Sequence, residues 1–223
     1  MALLSPEDRE TVRKHLTGLI HDVRLLLFTQ TIGGPESAMV ARQILDEVAS
    51  LNDRVTVEEV NFVLENDRAV ALGIIGIPEI AVMCDGHDTR MRFLGAPSGY
   101  EFMSLIEAVI AAGTENGQLT DDSRALIEAV DKPLDIKVFV TPTCPHCPRA
   151  VTLAHKMALS NPLITATCVE ATEFLDLSRE YRVTGVPKTI VNGSIEILGA
   201  LPEATFVRAV LGHPPMEEES PTA

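Results

Sequence analysis

The sequence predicts an α/β protein made of two tandem units, each a four-stranded mixed sheet flanked by helices. Three observations predict it. Gly76-Ile77-Pro78 returns as Gly185-Val186-Pro187, and Leu94-Gly95-Ala96 returns as Leu198-Gly199-Ala200. Continuous apolar runs, Val23 to Phe28 and Ile136 to Val140, read as buried strands. Each half also repeats one order of elements: helix, β-α-β, then a β-hairpin and a closing helix.

In the first half, Ser5 caps a helix with Pro6 at its first position and Asp8 completing a variant of the capping box; this helix runs to about Gly18. The strand from Val23 follows, then a turn at Thr31-Ile32-Gly33-Gly34-Pro35. Residues 36–51 space Val40, Ile44, Leu45, Val48 and Leu51 at helical intervals. Val55 to Val60 reads as a strand and 65–72 as a short helix. Glu79 to Met83 and Arg90 to Leu94 form a hairpin around Asp85-Gly86, and 98–112 form the closing helix.

The second half begins with a helix over about 121–130. After the strand Ile136 to Val140, a Pro-rich turn leads into a helix over about 147–159, stopped by Asn161-Pro162. Ile164 to Glu170 is a strand and 173–181 a short helix. Asn192-Gly193 joins Lys188–Val191 to Ser194–Leu198 as a hairpin, and Pro202 to Leu211 is the last helix. This order of elements is that of the thioredoxin fold. The expected division is 1–117, 118–212 and a Pro- and Glu-rich disordered tail, 213–223. The short link suggests that the two sheets abut, even as one continuous sheet.

Hydrophobic residues make up 46% of the chain and charged residues 22%, so a packed core is expected. A net charge of −14 argues against nucleic acid, which needs clustered Lys and Arg. The N-terminus lacks the basic start and long apolar run of a signal peptide. No stretch approaches the ~18 apolar residues of a membrane span. A soluble, cytoplasmic protein with no membrane partner is expected, where a close cysteine pair reads as catalytic or metal-binding.

The chemistry centres on Thr141-Pro142-Thr143-Cys144-Pro145-His146-Cys147-Pro148, where a strand ends and a helix begins. Free amide N–H groups and the helix dipole stabilise a thiolate there, and the thiolate is the nucleophile. Cys144, at the exposed helix start, is expected to attack a substrate disulfide, and the better buried Cys147 to resolve the mixed disulfide. Pro145 and His146 support the pair, His146 by placing an imidazole beside the Cys144 sulfur. A zinc knuckle is the alternative, but zinc usually takes two such pairs and only one is present. Cys84 and Cys168 stand alone in apparent strands and read as small buried hydrophobes. No metal and no cofactor are expected.

Pro187 is the second element. A cis Val186-Pro187 bond would present the Val186 backbone to an extended substrate chain beside the thiols. His155 is too far along the helix to serve Cys144 as a base and reads as a helix-surface residue. Thioredoxins place a buried acid six residues before the first cysteine; here that position is Val138. Glu170, on the neighbouring strand, is the candidate replacement, against the reading of an ordinary strand-end charge. Gly33-Gly34 is too short for a phosphate loop.

Over about residues 1–212 the chain resembles the protein disulfide oxidoreductases of thermophile type, also called glutaredoxin-like proteins, which carry two thioredoxin-fold units. The matching segments are Val140 to Pro148, Val169-Glu170-Ala171-Thr172-Glu173 and Gly185-Val186-Pro187-Lys188-Thr189. The resemblance implies Cys144, Cys147 and Pro187 as active-site residues. Family members often carry a second dithiol in the first unit, where this chain has Ile32-Gly33-Gly34-Pro35. One unit without a dithiol before one with it also resembles the N-terminal domain of the flavoprotein component of alkyl hydroperoxide reductase. The expected function is thiol–disulfide exchange with protein disulfide substrates. The alternatives are a dedicated electron donor to a peroxiredoxin and a redox-independent client-binding or chaperone module. With no flavin or nucleotide domain in the sequence, a separate thioredoxin-reductase-like partner is expected.

Overall fold

A computed structural model describes residues 4–30, 33–114 and 119–214. Its elements run α1 (Pro6–Leu16), β1 (Val23–Thr29), α2 (Glu36–Ala49), β2 (Val55–Asn61), α3 (Asn66–Ala71), β3 (Glu79–Cys84), β4 (His87–Leu94) and α4 (Glu101–Thr114). The second half follows as α5 (Asp121–Glu128), β5 (Leu134–Val140), α6 (Cys147–Ser160), β6 (Ile164–Glu170), α7 (Leu175–Glu180), β7 (Lys188–Val191), β8 (Ile195–Leu198) and α8 (Glu203–Val210). The expected junction at 117/118, Ile32 and the tail from 215 onward lie outside the described residues.

The strands form one eight-stranded sheet in the order β2-β1-β3-β4-β6-β5-β7-β8. Each half contributes four neighbours in the same internal order. The halves join where Met91–Leu94 of β4 pairs in parallel with Ala166–Val169 of β6. The edge of the first sheet is thereby covered by the second, which removes an unpaired edge from each.

Local chemistry explains the helix starts. Ser5 Oγ accepts from Asp8 N in the anticipated cap, and Thr120 does the same for Ser123 N. Helix α4 starts at Glu101 rather than 98, because Gly99 and Tyr100 are drawn into contact with the Pro142 turn: Tyr100 N donates to Pro142 O at 2.9 Å. Strand β4 starts at His87 rather than Arg90. Its register shifts between Ala81 and Met83, Arg90 takes a φ of 63°, and the ladder resumes beyond.

The main core lies on one face of the sheet and runs through both halves, with Leu105, Ile106 and Val109 of α4 beside Ala150, Val151 and Ala154 of α6. Smaller clusters fill the other face, around Ala69 of α3 and beside Leu177 of α7. Among the described residues no helix is long and apolar enough to cross a membrane.

Candidate active site

Strand β5 delivers the chain to a turn in which Cys144 N donates to Thr141 O at 3.1 Å, and α6 begins at Cys147 with His146 at its N-cap. Buried residues recur along α6 at Cys147, Ala150, Val151, Ala154, Met157 and Ala158, so the first cysteine of the helix is turned into the core. Cys144 and Cys147 form a disulfide with their Cα atoms 5.5 Å apart. Cys147 is fully buried, and Cys144 retains 8% exposure. The expected order of exposure holds, but Cys144 is buried in this oxidised form rather than exposed. It lies one turn ahead of the helix and belongs to the same apolar cluster, against which Val186 packs. Pro145 and His146 are exposed.

The Val186-Pro187 peptide is cis, and so is Ile77-Pro78 in the first half. Beside the former lies an open groove of about 620 Å³ lined by Thr141, Leu175, Arg179, Val183, Gly185 and Val186 among others. It borders the dithiol turn through Thr141 and runs along the cis-proline loop at Gly185 and Val186.

Three sequence readings change. His155 is not a helix-surface residue: it is 2% exposed, stacks edge-on against Phe93 at 4.9 Å, and places Nε2 3.2 Å from Arg92 O. Its helix face is covered by β4 of the other half, a contact no pattern within the helix announces. Burial pushes its pKa down to about 4. Glu170 is buried, and its carboxylate accepts from Thr172 N, Thr172 Oγ1 and Glu173 N, so it closes the turn after β6. Cys84 is half-buried rather than buried: it packs against the edge of the main core and also meets polar groups, its Sγ donating to Ala112 O at 3.2 Å.

Val138 is buried and apolar, as read. The sequence reading missed the acid that the fold brings in from the other half. Glu101, at the start of α4, is 2% exposed. Its Oε2 accepts from Ser104 Oγ at 2.6 Å and lies 3.6 Å from Cys168 Sγ, while Oε1 has no hydrogen-bond partner among the described residues. Burial pushes its pKa up to about 7. Cys168 pairs with Val138 in the ladder, on the sheet face that α6 packs against. The Tyr100–Pro142 hydrogen bond holds this end of α4 against the dithiol turn.

Gly99 makes that contact possible. Its φ is +60°, and a Cβ there would lie 2.1 Å from Pro142 O.

Comparison with known proteins agrees with this geometry. Residues 134–212 match the thioredoxin-domain family model. The chain is a tandem thioredoxin-fold protein. It superposes on the NTD_N/C domain of alkyl hydroperoxide reductase AhpF from Enterococcus faecalis with a TM-score of 0.87 at 28% identity, covering 93% of this chain and 99% of that one. A protein disulfide oxidoreductase from Aeropyrum pernix shares the fold, with a TM-score of 0.85 at 24% identity over 94% of each chain. The alkyl hydroperoxide reductase AhpF of Escherichia coli is 26% identical over 194 residues, or 86% of this chain and 34% of that protein. This tandem thioredoxin-fold chain thus spans about a third of the length of the curated relatives it matches first.

Proposed function

We propose that the protein is a thiol–disulfide oxidoreductase acting on disulfides of other proteins through Cys144 and Cys147. The single observation that carries this is the closed Cys144–Cys147 pair at the N-terminal end of α6, with Cys147 fully buried and Cys144 the more accessible of the two. In the reducing direction the Cys144 thiolate attacks one sulfur of the substrate disulfide and expels a substrate thiolate. Cys147, deprotonated, then attacks Cys144 Sγ, releasing the second substrate thiolate and leaving the enzyme disulfide. Two electrons pass to the substrate, whose thiolates take up protons from solvent.

Cys147 is shut away from water and needs an acceptor for its proton. Glu101 suits this role: a buried carboxylate with an oxygen to spare and a pKa near neutrality changes protonation state easily at working pH. Val186 and Pro187 supply the backbone edge for the substrate chain, and the groove beside them takes its side chains.

A second reading, dedicated electron transfer to a peroxiredoxin, is favoured by the extent of the likeness to the AhpF domain. A separate reductase recharges the dithiol in either case. One experiment separates the two readings. Reduction of insulin by dithiothreitol is measured beside peroxide consumption with a matched peroxiredoxin. Insulin turnover that disappears in Cys144→Ser supports the general enzyme; turnover only with the peroxidase supports the dedicated donor. Full insulin activity in Cys144→Ser removes the dithiol from the mechanism.

A further inference from the structure

The sequence offers no obvious metal ligand set, yet the fold assembles one at the edge of the sheet opposite the dithiol. Strands β1, β4, β6 and β5 run parallel to one another, so the dithiol lies at their C-terminal edge and the loop before β1 at the other. In that loop His21 meets Cys84 and Asp85 of the β3–β4 hairpin tip. One donor atom from each lies within 4.8 Å of the others.

We infer that His21, Cys84 and Asp85 form a binding site for a borderline divalent cation of the zinc class. A nitrogen, a sulfur and a carboxylate oxygen are the donor types such an ion prefers, and three protein ligands leave one position for water. His21 Nδ1 already lies 2.7 Å from Asp85 Oδ2, a contact the ion would replace by bridging the two.

The surroundings favour positive charge. Helix α4 ends here, with Gly113 O accepting from Ile20 N and His21 N, and Ala112 O from Cys84 Sγ at 3.2 Å. The negative end of that helix dipole thus faces the cluster. The cluster is also held from behind: Asp22 N donates to Asp85 Oδ1, and Asp85 N donates to Asp22 O.

The second half shows which parts of this arrangement are structural. There Asn192 clamps the hairpin tip in the same way, its Oδ1 accepting from Asp135 N and its own N–H donating to Asp135 O. A neutral amide therefore suffices for the clamp. In the first half the clamp is a carboxylate, the adjoining strand residue is Cys84 where the second half has Val191, and His21 is added. On binding, the Cys84 thiol proton goes to solvent and a metal–sulfur bond replaces it; no electrons move.

The test uses the full chain with Cys144 and Cys147 kept as their disulfide, which removes that pair as ligands. It is titrated with Co²⁺, whose thiolate-to-metal charge-transfer band reports sulfur ligation. The expected result is a band saturating at one equivalent and bleached by Zn²⁺. Cys84→Ser abolishes the band, and His21→Ala weakens binding by roughly tenfold or more. Asp85→Asn, which keeps the clamp as Asn192 does, weakens it likewise, so a variant that fails to fold does not decide the matter. Absence of a charge-transfer band in the wild type, or an unchanged band in Cys84→Ser, overturns the proposal.

Discussion

The Glu101 carboxylate of the first half lies 3.6 Å from the Cys168 thiol of the second, under helix α6 and one residue from the contact that holds the dithiol turn. The effect is one-sided: the thiol contact favours the charged carboxylate, whereas burial and then the nearby Glu101 charge push the Cys168 pKa well up. Glu101 is raised from 4.5 to about 7, so the folded state holds its proton more tightly than the unfolded chain. Its contribution to stability is full below pH 4.5 and is lost as pH rises through 7. Glu101→Gln is therefore expected to match the wild type in urea unfolding at pH 4 and to exceed it by a few kcal/mol at pH 8. The same variant should turn over disulfides more slowly, with a flattened pH–rate profile around neutrality.

Gly99 is where the halves touch at the site. Gly99→Ala places a methyl group where Pro142 O now stands and forces a left-handed φ on alanine. The expected outcome is a folded protein with a displaced dithiol turn. Insulin reduction should fall at least several-fold while the circular dichroism spectrum is retained. Gly18→Ala, which meets nothing within 4 Å, is the control and should leave the rate unchanged.

The fold is largely legible in the sequence because each half carries its signals locally. Apolar runs give the strands, Ser5 and Asn192-Gly193 mark a cap and a turn, and the repeated Gly-x-Pro aligns the halves. The cis Val186-Pro187 bond and the Cys144–Cys147 pair are legible for the same reason: dithiol, helix start and proline are sequence-local motifs. The single sheet is harder to read because the β4–β6 pairing joins residues about 75 apart, with no turn between them to reveal it. Glu101, His155 and the His21–Cys84–Asp85 cluster escape the sequence on the same ground. Their environments come from distant segments, and an acid opening a helix or a histidine within one looks ordinary until the partner half covers it.

His155 gives the opposite pH signature to Glu101. Its folded pKa, about 4, lies below the ordinary 6.5, so its neutral form is favoured by the fold. That contribution is present above pH 6.5 and is lost as pH falls through 4. His155→Met keeps the volume and removes the titration. Thermal unfolding from pH 7 to pH 4 should show a shallower acid decline in His155→Met than in the wild type.

The residue after each cis proline is charged and buried, with opposite sign. Glu79 accepts from Ile75 N and Gly76 N, whereas Lys188 Nζ donates to Tyr181 O and Arg182 O and pairs with Glu196 at 2.9 Å. Each side chain thus ties down the loop that leads into its proline, one through amide hydrogens and the other through carbonyls. Lys188→Met leaves the two carbonyls without their cation, at a cost of about 1–3 kcal/mol. Because the loop it releases carries Val186, the expected loss in catalysis is mainly in KM for a protein disulfide, with kcat less affected. Lys188→Arg should recover part of it.

His146 precedes the first helical residue of α6 and is exposed between the two cysteines. A thiolate at Cys144 would face the unpaired amide hydrogens of the first helical turn, and an imidazole two residues away would add charge attraction whenever it carries a proton. Both effects would favour the reduced, thiolate form and make the disulfide a stronger oxidant. Replacing His146 with leucine keeps the helix start and removes the imidazole. The Cys144 thiol should then titrate at higher pH, read from thiolate absorbance. The reduction potential should become more negative by roughly 30 mV for each tenfold change in the equilibrium. The helix contribution persists in this variant, so the Cys144 titration should still fall below that of a free cysteine. Superimposable titration curves for the wild type and His146→Leu would leave the helix terminus as the whole source of activation.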